Sequence, residues 1–188
     1  MKVVVQRCEK ASVSVDNKLI NAIENGLMIL VGFTEGDTEK EIDYMVKKVA
    51  NLRIFDDENG VMNKSVLDIK GSILSISQFT LYGDASKGNR PSYIKALNGE
   101  KATKLYDLFN EELAKHLKVE KGIFGEEMMV SLVNDGPTTI ILERWFMKSK
   151  NVTEEMENIE LTDETENVET SIEITKEEIE AINKKAYE

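Results

Sequence analysis

Apolar and polar positions over residues 1–147 alternate between the periods of strands and helices. β-branched runs at residues 2–9, 11–16 and 18–23 predict strands. The uninterrupted apolar run at residues 26–33 is typical of a strand that is buried on both faces. The amino-terminal part of the chain is therefore predicted to begin as a sheet.

Two amphipathic helices are predicted beyond these strands. Thr38 with Glu41 forms a capping box that starts the first helix, and the second begins at Asn98 or Gly99. The apolar stripes are Ile42, Met45, Val46, Val49 and Leu52 in the first helix and Ala102, Leu105, Tyr106, Phe109, Leu113 and Leu117 in the second. Each stripe provides one face for packing against a sheet.

Further strand patterns occupy residues 71–81, 128–134 and 138–143. Residues 135–137, Asp-Gly-Pro, separate the last two and predict a hairpin turn. The sequence thus predicts an α/β domain over residues 1–147, with mixed or antiparallel sheets packed against two main helices.

The charge distribution separates a second region from this domain. The net charge of the chain is −11, but residues 1–150 hold 21 basic and 22 acidic residues, whereas residues 151–188 hold 3 and 13. Residues 148–188 are therefore predicted to form a flexible acidic extension. A capping-box pattern at Thr175 and Glu178 predicts a short terminal helix within it.

Composition excludes several classes of function. The run at residues 26–33 is too short to span a bilayer and the start of the chain lacks a signal-peptide pattern, so we expect a soluble cytoplasmic protein. A single cysteine, Cys8, and a single histidine, His116, argue against a disulfide framework and against cysteine-rich or multi-histidine metal sites. No glycine-rich nucleotide-binding loop is present.

The ordinary candidates for catalysis are weak. His116 follows the second apolar stripe as a solvated cation near a helix end, and Cys8 is predicted to be a small buried hydrophobe. In residues 71–81, strand alternation directs Gln78 and Thr80 to one face, where they either line a pocket or mark a strand leaving the core. From spacing alone, a strand leaving the core is the favoured interpretation.

Two segments carry a resemblance to a known family. Residues 77–81, SQFTL, and residues 134–137, NDGP, resemble the signature motifs of the D-aminoacyl-tRNA deacylases, also called D-tyrosyl-tRNA deacylases. Shorter matching pieces keep the same order along the chain, at residues 5–7, 11–13, 53–55, 60, 62–63, 90–92 and 129–133. The resemblance extends to about residue 142, with Thr138 standing where the family commonly has valine.

The resemblance implies a fold and an activity. It implies a homodimeric hydrolase that cleaves the ester between a D-amino acid, or the glycine of glycyl-tRNA(Ala), and the 3′ end of tRNA. It implies no metal and no cofactor, because the 2′-hydroxyl of the terminal adenosine assists the reaction. A noncatalytic dimer that binds tRNA or a small ligand on the same fold is the alternative.

The resemblance also implies roles for particular residues. Ser77, Gln78, Phe79 and Thr80 would form the catalytic pocket wall, with backbone N–H groups near Phe79 and Thr80 stabilising the oxyanion. Thr80 would act either as a nucleophile or, as we favour, as an orienting group.

Chiral selection is implied for a second set of residues. Gly136 and Pro137 of one subunit would enter the active site of the other through a cis peptide and exclude L-amino acids, and Arg7 would support that loop. Sequence alone does not determine the isomer of the Gly136–Pro137 peptide bond.

Overall fold

The computed structural model describes residues 1–144, so the predicted acidic extension lies outside the described residues. The elements in chain order are β1 (Lys2–Val15), β2 (Lys18–Ile23), β3 (Gly26–Gly32), α1 (Glu39–Ala50), β4 (Phe55–Asp56), β5 (Met62–Lys64), β6 (Ser72–Ser77), a 3₁₀ helix (Phe79–Tyr82), α2 (Gly99–Ala114), β7 (Lys118–Lys121) and β8 (Met129–Glu143). None of the helices among them is long and apolar enough to cross a membrane.

The main sheet is built around β1. Strand β8 pairs antiparallel with β1 over nearly its full length, while β3 and β2 share the opposite edge of β1, one after the other. Strands β6 and β7 then extend the sheet from β3 in parallel pairs. The predicted mixed α/β architecture is thereby confirmed, and β4 with β5 forms a small separate antiparallel pair.

Strand alternation divides the buried residues into two clusters. Val3 and Val5 of β1 share one cluster with apolar residues of α1 and α2, among them Met45 and Phe109. Cys8 belongs to the other cluster, which also contains buried residues of β2, β3 and β6. The main sheet is thus covered by helices on one face, and the second cluster occupies part of its other face.

Both predicted helices form close to their expected limits. Thr38 is the N-cap of α1, and its backbone N–H donates to the Glu41 carboxylate at 2.9 Å, as the capping box requires. Asn98 caps α2 by accepting a hydrogen bond from the Glu100 N–H at 3.0 Å. Leu52 lies beyond the end of α1.

The predicted hairpin turn at residues 135–137 is wrong, and so is the division of residues 2–16 into two strands. Strand β8 continues through these residues because β1 pairs with it on both sides: Gln6 faces Thr139 and Cys8 faces Asn134. Two steps along β1 correspond to five along β8, so residues 135–138 bulge out of the ladder. Glycine and proline here permit a bulge rather than a chain reversal.

The predicted strand over residues 71–81 is too long. Strand β6 ends at Ser77, opposite Val31 of β3, and the chain then turns into the 3₁₀ helix. Gly32 permits this turn, because a Cβ there would lie 2.9 Å from the Gln78 carbonyl oxygen. Strand alternation therefore does not govern the side chains after Ser77.

Candidate active site

A cavity of about 580 Å³ opens where β3 and β6 end and α2 begins. Its wall is mostly apolar, with Phe33, directly after β3, and Ala102 of α2 among its residues. Its polar side chains are Ser77, Gln78, Tyr93 and Glu126. A concave, largely apolar cavity with a few convergent polar groups is the usual form of a small-ligand site.

The first predicted motif lies on the wall of this cavity. Ser77, Gln78 and Phe79 line it, whereas Thr80 does not. Thr80 is nevertheless joined to the wall, because the Gln78 side-chain amide donates a hydrogen bond to the Thr80 hydroxyl at 2.5 Å. That partner is a donor rather than a general base, so it does not activate the hydroxyl as a nucleophile.

The start of the 3₁₀ helix, next to this wall, provides backbone N–H groups that have no partner within the helix. The first bond of this turn runs from the Leu81 N–H to the Gln78 carbonyl, so the N–H groups of Phe79 and Thr80 precede it. The first N–H groups of any helix have no partner within the helix. Two adjacent donors are therefore available to an oxygen that carries developing negative charge.

Sequence reasoning missed two of the four polar side chains of the cavity, Tyr93 and Glu126. The Tyr93 ring meets the Phe79 ring edge to face, with centroids 5.2 Å apart. An aromatic residue within a polar loop was the available signal for Tyr93. Nothing in the sequence marks Glu126 as a cavity residue, because only the fold brings residues 124–130 to the ends of β3 and β6.

The second group of predicted residues surrounds the bulge of β8. Arg7 is only 5% exposed, and its Nε lies 2.9 Å from Asp135 Oδ2. Its Nη1 donates to the Ile54 carbonyl at 2.7 Å. The Gly136–Pro137 peptide bond is cis, and Gly136 has a φ of 116°.

Arg7 thus holds the bulge of β8 in place. It ties Asp135, immediately before Gly136, to the segment that leads into β4. A side chain at Gly136 would crowd the loop, because its Cβ would lie 2.5 Å from Thr138 Oγ1 and 3.3 Å from Arg7 Nη2.

The two groups do not share a cavity within one chain. Ser77, Gln78 and Phe79 lie together on the cavity wall, whereas Arg7, Gly136 and Pro137 are not among its lining residues. His116 is exposed and also absent from the cavity. Within residues 1–144, no group of three or more His, Cys, Asp or Glu side chains is placed to hold a metal ion.

Cys8 is fully buried in β1, as predicted for a small hydrophobe. Burial raises the pKa of its thiol from the ordinary 9.0 to about 11, and the Met28 backbone offsets part of that rise. The thiolate is the nucleophilic form of cysteine. Cys8 is therefore a packing residue.

Comparison with known proteins identifies the class to which this fold and site belong. A family model described as D-Tyr-tRNA(Tyr) deacylase matches residues 4–143. The class is that of hydrolases that edit aminoacyl-tRNA. The chain belongs to the D-Tyr-tRNA(Tyr) deacylase family.

Two solved structures are similar to the chain. One, described as c-Myc DNA Unwinding Element Binding Protein, is 44% identical with a TM-score of 0.73, covering 77% of this chain and 99% of that one. The other, described as a probable eukaryotic D-amino acid tRNA deacylase, is 18% identical with a TM-score of 0.64, covering 75% and 97%. The second likeness shows a shared fold.

The environment of Cys8 predicts a slow thiol. Because its pKa is raised to about 11, we expect iodoacetamide at pH 8 to modify the folded protein far more slowly than a peptide of residues 4–12. The neutral thiol favours the folded state below pH 9, and this contribution declines as the pH rises from about 9 to about 11. Equal labelling rates for folded protein and peptide would contradict this environment.

Proposed function

We propose that this protein hydrolyses the ester that joins a D-amino acid, or the glycine of glycyl-tRNA(Ala), to the 3′ end of tRNA. The products are the free amino acid and tRNA, and the site of action is the cytoplasm. Residues 1–147 form the deacylase domain, with residues 148–188 as an acidic extension. The observation that supports this most is the meeting of Ser77, Gln78 and Phe79 on a cavity wall in a chain of this family.

The reaction begins with attack of a water oxygen on the ester carbonyl carbon. The N–H groups of Phe79 and Thr80 stabilise the negative charge that develops on the carbonyl oxygen. The bond from carbon to the ribose 3′-oxygen then breaks, and that oxygen takes up a proton. The neighbouring 2′-hydroxyl of the terminal adenosine orients the water and relays the proton, so every group comes from the chain, the tRNA or water.

Thr80 has an orienting role in this mechanism. Its hydroxyl accepts a hydrogen bond from the Gln78 side-chain amide, and within residues 1–144 no histidine or carboxylate contacts it. A threonine hydroxyl without a base is a weak nucleophile. Gln78 and Thr80 therefore shape the wall rather than attack the ester.

Chiral selection requires a second copy of the chain in this proposal. Gly136 and Pro137 do not line the cavity of their own chain, so they act at the cavity of a partner. There, backbone carbonyls of the bulge hold the substrate amino group and leave no room for an L side chain. A steric exclusion of this kind discriminates more strongly than a few attractive contacts.

An apolar row on the sheet supports a homodimer. Ile141 of β8, Val4 of β1 and Leu30 of β3 are direct neighbours across three strands, and Ile141 is 69% exposed. The outer edge of β8 also has no strand paired to it within residues 1–144. Symmetric packing of this face would bury the row twice and bring each bulge toward the partner's cavity.

A noncatalytic nucleic-acid-binding dimer on the same fold is the second candidate. It is favoured by the 44% identical structure, whose description names binding to a DNA unwinding element. The two candidates differ in turnover.

Hydrolysis of D-tyrosyl-tRNA and L-tyrosyl-tRNA separates the two candidates. We expect release of D-tyrosine and retention of the L-ester, with substantial activity remaining in Thr80→Ala. Hydrolysis of neither ester, at protein concentrations that bind tRNA, would support the noncatalytic dimer. Complete loss of turnover in a folded Thr80→Ala variant would instead make Thr80 the nucleophile.

The Gly136→Ala variant tests chiral selection. Its Cβ would displace the bulge, so we expect the ratio of D-tyrosyl to L-tyrosyl hydrolysis to fall about 10-fold or more, because misplacing a steric barrier costs about 1–3 kcal/mol of discrimination. Gly60→Ala is the matched control, since Gly60 also has a positive φ, 74°, but no atom within 4 Å of an added Cβ. Equal effects of both variants would assign the result to backbone conformation alone.

The Ile141→Asp variant tests the homodimer. Burying each isoleucine contributes about 1.5–3 kcal/mol, so placing a carboxylate at both symmetric positions strongly disfavours association. We expect sedimentation to change from a dimer to a single chain of 21.3 kDa, with loss of deacylation. Leu19→Asp in β2, at a position 65% exposed, is the control. A dimeric Ile141→Asp protein would exclude this face as the interface.

A further inference from the structure

An exposed aromatic surface lies at the edge of the cavity, and the proposed chemistry uses only the backbone N–H of Phe79 from it. Phe79 and Tyr93 form its edge-to-face pair, and their side chains are 58% and 40% exposed. Ile94 beside them is 89% exposed. Exposed apolar side chains grouped at the mouth of a site are typical of a surface that a ligand covers.

A cationic loop leads to this aromatic surface. Backbone hydrogen bonds of 2.8 Å in both directions between Asp84 and Ser92 close residues 84–92 into a loop. Lys87 and Arg90 lie within this loop and are exposed. Neither of them forms an ion pair within the described part of the chain. Two cations are thus free to meet negative charge.

The cavity lining also carries a negative charge. Glu126 lines the cavity and is exposed, and no side chain among residues 1–144 forms an ion pair with it. A carboxylate repels phosphate, whereas Lys87 and Arg90 attract it. A polyanion that reaches the cavity is therefore attracted to the loop that leads to Tyr93 and repelled by Glu126.

We propose that the unpaired 3′ strand of tRNA reaches the cavity along this surface, with a base stacked on the Phe79–Tyr93 pair and phosphates against Lys87 and Arg90. Aromatic stacking beside backbone-tracking cations is how proteins bind single-stranded nucleic acid without reading sequence. This inference rests on the proposed function and assigns the route by which its substrate enters.

The composition of the surface favours RNA over a second copy of the chain. The core of a protein interface is depleted in lysine and other charged residues. Here Lys87, Arg90 and Lys95 all lie on the segment that presents Tyr93 and Ile94. The apolar row around Ile141 is the surface that suits a second copy.

Binding is tested with an unacylated RNA hairpin that ends in a four-nucleotide 3′ overhang, compared with the same hairpin with a blunt end. We expect the overhang to tighten wild-type binding, and Lys87→Gln with Arg90→Gln to remove that advantage. Because each lost phosphate contact on a single strand lowers the salt slope by about 0.7, the double variant should lower it by about 1.4. Lys18→Gln with Lys47→Gln removes two exposed charges from β2 and α1 as a control.

Tyr93→Leu tests the stacking platform, with Tyr93→Phe as its conservative control. Stacking contributes about 1–3 kcal/mol per base, so Tyr93→Leu should weaken overhang binding about 5- to 100-fold, and Tyr93→Phe should bind as wild type does. The ratio of kcat/KM for D-tyrosyl-tRNA to kcat/KM for 3′-O-(D-tyrosyl)adenosine should fall in Tyr93→Leu and in the double charge variant.

Three results would overturn this inference. The first is equal affinity of the wild type for the overhang hairpin and the blunt hairpin. The second is an equal loss of kcat/KM on both esters in Tyr93→Leu and in the double charge variant. The third is a changed sedimenting mass in these variants, which would make the surface a contact between copies of the chain. Failure of wild type to hydrolyse either ester would refute the proposed function. The comparison of overhang and blunt hairpins would still test, independently of hydrolysis, whether this surface binds the unpaired 3′ strand.

Discussion

The pairing of β1 along both of its edges is the constraint on which the arrangement of this molecule depends. Strand β3 on one edge leads through Val31 and Gly32 to the cavity, and β8 on the other edge carries the bulge at residues 135–138. Because one strand orders both neighbours, the cavity wall and the bulge are held in fixed relation by backbone hydrogen bonds. A slip of one residue along β1 would exchange the faces of β8 and disturb both.

Arg7 is placed at the point where this ladder is interrupted. A bulge leaves backbone groups unpaired, and a buried guanidinium supplies several donors in a fixed geometry. Contacts with Asp135 and the Ile54 carbonyl compensate for burying its charge. The bulge is thus a supported part of the sheet rather than a free loop.

Net charge misrepresents the active part of this chain. The value of −11 belongs almost wholly to residues 151–188, and residues 1–150 are close to neutral. The rest of the domain therefore produces no large negative field to oppose the positive charges of Lys87 and Arg90 near the cavity. The negative net charge of the whole chain is therefore compatible with a tRNA substrate, because salt screening shortens the range over which exposed charges act.

The sequence by itself determined the elements with strong local signals. The capping box at Thr38 and the apolar stripe that follows it predicted α1, and the motif at residues 77–81 predicted three residues of the cavity wall. These succeeded because capping and periodicity act between residues a few positions apart.

Tertiary structure decided what depends on distant partners. Asp135-Gly136-Pro137 has the composition of a turn, but pairing with β1 on both sides makes it a bulge. Glu126 joins the cavity only through the sheet, and Tyr93 through contact with Phe79. Pairing between residues more than a hundred positions apart is set by the packing of the whole core, which no local pattern encodes.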